Sequence, residues 1–199
     1  MRAYQPTVHQ TLVLVSMTRA SRYHLPIDSP AFLMCNTRHE FVLACDMRFA
    51  ARESAVFGQP ELAFGLIPGA GGVQHLTRLL GRARALEVML SADDYDAELA
   101  ERYGWINRAV PAGTLEEFVR AIAHRIAGFP PAARTVLKDR VNAIALAPAE
   151  DFRRDSDLFG ERARTPDAQG RIGLAMTRGF QTRDAERALG MMVGDLADR

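Results

Sequence analysis

The chain has 199 residues, of which 48% are hydrophobic, and this is enough to build the core of one globular domain. Its net charge at pH 7 is +1, and its 25 basic and 24 acidic residues are spread along the chain. This balance provides no basic surface for nucleic acid or for an anionic membrane, so we expect neither as a partner.

The two cysteines, Cys35 and Cys45, match neither a C-x-x-C pair nor a metal-binding spacing. We therefore expect a reduced, cytoplasmic protein without a bound metal. No apolar run approaches the roughly 18 residues of a membrane span. The segment TLVLVSM, from Thr11 to Met17, fits a buried strand better than a signal peptide, because it is short and only Arg2 supplies basic charge before it.

Clear secondary-structure patterns begin near Glu40, whereas residues 1–36 show no persistent periodicity. The run EFVLACDMRFAA predicts a short buried helix followed by a strand over residues 47–51. AVFG predicts a second strand that stops at Gly58. A loop rich in glycine and proline follows, and then a helix from about Val73 to Leu80 that ends at Gly81.

The second half of the chain is predicted to be mostly helical, with WINRAV as a short strand. Asp96 is expected to cap one helix, Thr114 and Glu117 to form a capping box, and Thr165 to precede a proline at the first helical position. Apolar residues at helical spacing predict three inward faces. They are Leu115, Phe118, Val119, Ile122 and Ile126; Val136, Leu137, Val141 and Ile144; and Leu189, Met192, Val193 and Leu196.

Glu61 is the only charged residue in FGQPELAFGLIPGAGG, residues 57–72. A second acid, Glu40, precedes the apolar run FVLAC. Two carboxyls in an apolar cleft can have different pKa values, so that one serves as a base and the other as an acid. Two structural alternatives stay open: Thr37 and Glu40 could form a capping box, and Glu61 could pair with an arginine. The pattern alone favours these alternatives.

The stretch EFVLACDMRFAARESAVFGQPELAFGLIPGAGGVQHLTRLLGRARALEVML, residues 40–90, resembles the crotonase superfamily, the enoyl-CoA hydratase/isomerase family. The resemblance continues through GWINRAVP to about residue 196. It implies an α/β protein with a crotonase-like ββα spiral, incomplete at the N-terminus, and a helical C-terminal region. The implied parts are a divergent segment (1–36), a partial crotonase core (37–112) and a helical region (113–199). Trimers or dimers of trimers are implied as well.

The same resemblance implies a function for the two acids. Family members bind acyl-CoA thioesters and stabilise an enolate, and hydratases add water in syn fashion across a trans-2 double bond. Glu40 falls at the position of the base that activates water, and Glu61 at that of the acid that protonates C2. Gly69 falls where a backbone N–H holds the water, and Thr37 where one oxyanion donor lies. No cofactor is implied beyond the coenzyme A of the substrate.

The chain departs from the family pattern at its N-terminal side. Residues 36–39 are Asn-Thr-Arg-His where hydratases carry a glycine run, and residues 1–36 contain no A-G-x-D or S-G-x-D segment for the second oxyanion donor. A divergent or inactive paralogue, a truncated or frame-shifted gene, and an unfamiliar rebuilding of the site remain open. The abrupt onset of similarity favours the second. The alternative function is an inactive crotonase-like protein that self-associates or binds a partner.

Overall fold

Two small sheets form the β structure of this computed structural model, which describes residues 12–15, 37–182, 185 and 188–197. The larger sheet has the order β1-β2-β5, with β1 antiparallel and β5 parallel to β2, and β3 pairs antiparallel with β4. The strands are β1 (Leu12–Val15), β2 (Met47–Ala51), β3 (Val56–Phe57), β4 (Tyr95–Asp96) and β5 (Arg108–Val110). The strand predicted within residues 11–17 is therefore confirmed; the rest of the predicted segment 1–36 lies outside the described residues.

Helices make up most of the described chain after β3. They are α1 (Thr37–Leu43), α2 (Gly72–Leu80), α3 (Arg82–Ser91), α4 (Ala97–Tyr103), α5 (Leu115–Ala127), α6 (Pro131–Ala145), α7 (Ala149–Ala163), α8 (Pro166–Thr177) and α9 (Leu189–Ala197), with 3-10 helices at Pro60–Phe64 and Ala112–Thr114. The crossover from β2 to its parallel neighbour β5 runs through α2, α3 and α4, as a parallel pair requires. Within the described residues no helix is long and apolar enough to cross a bilayer.

The predicted helix caps have different outcomes. Asp96 accepts a hydrogen bond from the Leu99 N–H at 2.7 Å, and Thr165 caps α8, so these two predictions are confirmed. The capping box at Thr114 is wrong, because Thr114 makes no capping bond and its hydroxyl donates to the Pro111 carbonyl oxygen instead. Thr114 ends a 3-10 turn with φ −118° and ψ −2°, which is not the extended geometry that a capping threonine needs.

Three apolar clusters make up the core of the described residues. The largest joins β3 to α2, α3 and α4 around the fully buried Trp105, Leu76 and Val88. A second lies under β2 and α5, where the predicted inward face of α5 is confirmed at Leu115 and Val119. The third packs α8 and α9 against the 3-10 helix at Pro60–Phe64, and it buries the predicted stripe at Leu189, Val193 and Leu196.

The prediction of an inward apolar face on α6 is wrong. Its four apolar residues are all exposed, at 62% for Val136, 68% for Leu137, 53% for Val141 and 81% for Ile144. A helical period identifies an apolar face, but burial also needs an element packed over it, and none of the described elements covers this one. Helix α6 is fixed to the core by the half-buried pair of Lys138 and Asp46, with 2.7 Å between Nζ and Oδ2.

Candidate active site

Helix α1 places Glu40 at the end of its first turn, where the side chain is only 5% exposed. The far end of α1 is held by the buried guanidinium of Arg48, on β2. Its Nε donates to the Trp105 carbonyl oxygen at 2.7 Å, and another nitrogen donates to the Cys45 carbonyl oxygen at 2.8 Å. The guanidinium also donates to the carbonyl oxygen of Leu43, the last residue of α1, at 3.4 Å, where a cation is favourable, so Arg48 ties the helix to the sheet.

The glycine-rich turn over residues 69–72 surrounds the carboxyl of Glu40. The backbone N–H groups of Ala70 and Gly72 donate to Glu40 Oε1 at 2.8 and 3.0 Å. Gly71 has φ +107°, a backbone conformation that residues with a side chain rarely adopt. This conformation directs the two N–H groups toward one oxygen. Both bonds favour the ionised form of Glu40.

Glu61 lies in the 3-10 helix at Pro60–Phe64 and is 2% exposed. Gln59, which precedes this helix, is also buried, and its Nε2 donates to Glu61 Oε2 at 3.4 Å. Gln59 Nε2 and Glu40 Oε1 both lie near Gly72, because a Cβ added there would stand 2.7 and 3.1 Å from them. The structure therefore brings Glu40, Gln59 and Glu61 together around the start of α2.

The two carboxyls have different electrostatic surroundings. Burial raises the pKa of Glu61 to about 8; its own backbone N–H opposes this, and the charge of nearby Glu40 adds to it. Burial also raises the pKa of Glu40, but here the N–H groups of Ala70 and Gly72 act against burial. A pKa of about 8 keeps Glu61 mostly protonated at pH 7. Glu40 is the carboxyl whose ionised form is stabilised by two N–H donors.

The described contacts bear on the structural alternatives for these acids. The carboxyl of Glu40 receives hydrogen bonds from Ala70 and Gly72, in a distant turn, while a cap by the side chain of Thr37 lies outside what the structure describes. No arginine pairs with Glu61 among the ion pairs of the described residues. A tertiary contact therefore holds the carboxyl of Glu40, and the carboxyl of Glu61, which accepts from Gln59, lies close to it.

Thr37 and Gly69, the other two predicted site residues, lie beside these groups. Thr37 is the first residue of α1, and its side chain lies outside what the structure describes. Gly69 precedes Ala70 directly, and a Cβ there would stand 2.6 Å from Cβ of Phe159 on α7, so no larger residue fits. The roles of Glu40, Glu61, Thr37 and Gly69 stay predictions.

Sequence reasoning missed the groups that support the two acids. These are Gln59, the N–H groups of Ala70 and Gly72, and the α7 residue Phe159. Gln59 could have been found, since it is an amide beside Glu61 in an otherwise apolar segment. Phe159 carries no such signal, because only the packing of α7 brings it to the turn.

Other polar groups near the turn have structural explanations. His75 packs its ring against Phe152, with 5.4 Å between the centroids, and burial together with the charges of Arg48 and Arg78 lowers its pKa. Burial raises the pKa of the Cys45 thiol, which disfavours a reactive thiolate. No cluster of His, Cys, Asp or Glu within the described part of the chain could hold a metal ion.

Comparison with solved structures identifies this arrangement as the crotonase fold. A structure from Streptomyces avermitilis described as an enoyl-CoA hydratase superposes with a TM-score of 0.77 and 53% identity, covering 78% of this chain and 56% of its own. A carnitinyl-CoA hydratase from Mycobacterium avium superposes with a TM-score of 0.62 and 34% identity, covering 70% of this chain and 54% of its own.

Sequence comparison leads to the family. The model of the enoyl-CoA hydratase/isomerase family matches residues 37–183, so the chain belongs to that family, as its sequence resemblance predicted. A "Probable enoyl-CoA hydratase" from Rhizobium meliloti is 40% identical over 129 residues, 64% of this chain and 50% of its own. A short-chain-enoyl-CoA hydratase from Clostridioides difficile is 38% identical over 125 residues, 61% of this chain and 78% of its own. The chain spans about half the length of the Rhizobium relative and of the Streptomyces structure.

Proposed function

We propose that this protein hydrates trans-2-enoyl-CoA thioesters in syn fashion, with Glu40 as the base and Glu61 as the acid. One observation carries the proposal: two buried carboxyls lie close together, burial raises the pKa of Glu61 to about 8, and Glu40 receives two backbone N–H bonds that favour its ionised form. A general base and a general acid at one site need this division at neutral pH. The names of the relatives, which include several enoyl-CoA hydratases, support the same chemistry.

In the proposed reaction Glu40 removes a proton from water, and the water oxygen forms a bond to C3 of the substrate. The π electrons of the C2–C3 bond move to the thioester oxygen, which gives an enolate. The enolate then takes the proton of Glu61 at C2, and its electrons re-form the thioester carbonyl. The product is a 3-hydroxyacyl-CoA, and transfer of one proton from Glu40 to Glu61 restores the enzyme.

The enolate oxygen needs hydrogen-bond donors, because stabilising this developing charge is usually the largest catalytic contribution. We assign one donor to the backbone N–H of Thr37. As the first residue of α1, Thr37 has an N–H without an acceptor inside the helix. The backbone N–H of Gly69, next to the two that hold Glu40, is the proposed donor to the attacking water.

Hydration of crotonyl-CoA, followed by loss of absorbance of the conjugated thioester, tests the proposal. Glu40→Gln and Glu61→Gln should each lower kcat by about 100-fold, the range expected for loss of general acid–base help. Glu117→Gln, an exposed glutamate on α5, is the matched control and should leave kcat unchanged. A wild-type rate no higher than that of the Glu40→Gln, Glu61→Gln double variant would refute the proposal.

Three further features belong to the proposal. The substrate supplies coenzyme A and no other cofactor takes part, in a cytoplasmic protein. The protein forms a homo-oligomer, a trimer or a dimer of trimers, and the exposed apolar face of α6 supports self-association. Sedimentation equilibrium tests the oligomeric state, and a monomer at micromolar concentration would contradict it.

An assay with a 3-enoyl-CoA distinguishes hydration from the related double-bond shift.

A further inference from the structure

Helix α7 is bonded to the start of α2, just after the turn that holds Glu40. Gln74 donates from Nε2 to Oδ2 of Asp155 at 2.6 Å and to the carbonyl oxygen of Asp151 at 3.2 Å. Gln74 is 6% exposed and Asp155 is half-buried, so these bonds are partly shielded from competition by water. The amide orientation follows from this contact, because a rotated amide would set its oxygen against the Asp155 carboxylate.

Two aromatic residues of α7 contact the same turn on either side of this bond. Phe159 packs against Gly69, because a Cβ added to Gly69 would stand 2.6 Å from the Cβ of Phe159. Phe152 lies at Gly71, where an added Cβ would come within 2.8 Å of its ring. Helix α7 therefore covers the turn with two rings and one charge-assisted hydrogen bond.

The turn needs such external support because of its own composition. Residues 69, 71 and 72 are glycines, which restrict the backbone less than any other residue. The two N–H groups that bind Glu40 come from this permissive segment. Their directions must therefore be set by packing, and the described packing on the turn includes α7.

We propose that Asp155 and Gln74 are positioning residues, which hold the 69–72 turn so that the N–H groups of Ala70 and Gly72 stay on Glu40. Neither residue touches the substrate in this role. They act through Glu40, which in turn places the attacking water, so the inference rests on the proposed function. In this proposal the helical C-terminal region, through α7, helps to set the geometry of the site in addition to packing on the core.

The test compares three variants of the full chain. Asp155→Leu removes the acceptor, Asp155→Asn keeps an acceptor oxygen, and Asp157→Leu changes an exposed acid on the same helix. We expect Asp155→Leu to lower kcat for crotonyl-CoA hydration by about 10- to 100-fold with KM nearly unchanged, since small misplacements of catalytic groups have effects of this size. Asp155→Asn and Asp157→Leu should retain wild-type kcat.

Hydrogen exchange followed by mass spectrometry gives a second measurement that does not depend on activity. In Asp155→Leu, amide exchange should accelerate in residues 66–75 and stay unchanged in residues 97–110. Unchanged exchange in residues 66–75 refutes the inference, whether or not the wild type is active. An inactive wild type by itself refutes only the proposed function.

Two results of the kinetic arm would also overturn the inference. One is a wild-type kcat in Asp155→Leu, and the other is an equal loss in Asp155→Asn, which would show that charge rather than the hydrogen bond matters. If Asp155→Leu does not fold, Gln74→Met removes both donors from the other side and is measured in the same two ways, with the same outcomes deciding.

Discussion

Replacing Glu61 by glutamine should make the protein more stable at neutral pH although it lowers the hydratase activity. Burial raises the pKa of Glu61 to about 8, whereas its ordinary value is 4.5. Below pH 4.5 the residue is protonated in both the folded and the unfolded chain. Between these two pH values the unfolded chain has lost the proton and the folded chain keeps it, so the free energy of unfolding falls as pH rises.

The size of this effect follows from the two pKa values. Each pH unit in this window lowers the free energy of unfolding by about 1.4 kcal/mol. Between pH 5 and pH 7 the wild type therefore loses about 2 to 3 kcal/mol through Glu61 alone. Glutamine is nearly isosteric and does not titrate, so the variant lacks this loss, and its stability relative to the wild type should grow by the same amount.

Urea unfolding followed by circular dichroism at pH 5, 6 and 7 measures the difference between variant and wild type. Glu117→Gln provides the control, because its difference from the wild type should stay flat over this range. A flat difference for Glu61→Gln as well would show that Glu61 is already ionised at neutral pH. The assignment of Glu61 as the acid would then fail.

Three other substitutions follow from the same contacts. Gly72→Ala should destabilise the fold by about 1 to 3 kcal/mol and reduce hydratase activity, because its Cβ would collide with Gln59 and Pro68. Gly173→Ala, in open space on α8, is the control and should be neutral or stabilising in thermal melts. Arg48→Met should lower the free energy of urea unfolding by about 2 to 4 kcal/mol, since it leaves buried carbonyls without donors; an unchanged midpoint would contradict this. Gln59→Leu should lower kcat about tenfold with little change in melting temperature, because it removes the donor to Glu61 while keeping the site filled; full activity would show that the bond is not needed.

Much of the architecture was predictable from local pattern. The helices, the strand over residues 47–51, the glycine-rich turn and the cap at Asp96 each depend on residues close together in the chain. Their hydrogen bonds join residues close together in the chain, and the spacing of their apolar residues can be seen within one segment. The family membership was predictable for the same reason, because FGQPE and GLIPGAGG are contiguous segments.

Failures of prediction occurred where a neighbouring element decides the outcome. Thr114 has the right residues for a capping box, but a preceding 3-10 turn sets its backbone angles. Helix α6 has a regular apolar face, but no described element packs on it. The local sequence pattern shows which caps and apolar faces a segment can form. The neighbouring elements determine which of them form or become buried.

The candidate site shows the same division most clearly. The sequence alone singled out Glu40 and Glu61 as two acids within apolar segments. Only the tertiary structure showed that Ala70 and Gly72 donate to the first and that Gln59 donates to the second. The protonation state of a carboxyl depends on its burial and on nearby donors and charges. The donors to Glu40 and the charge of Glu40 near Glu61 come from segments distant in the chain, so folding and not residue order decides these states.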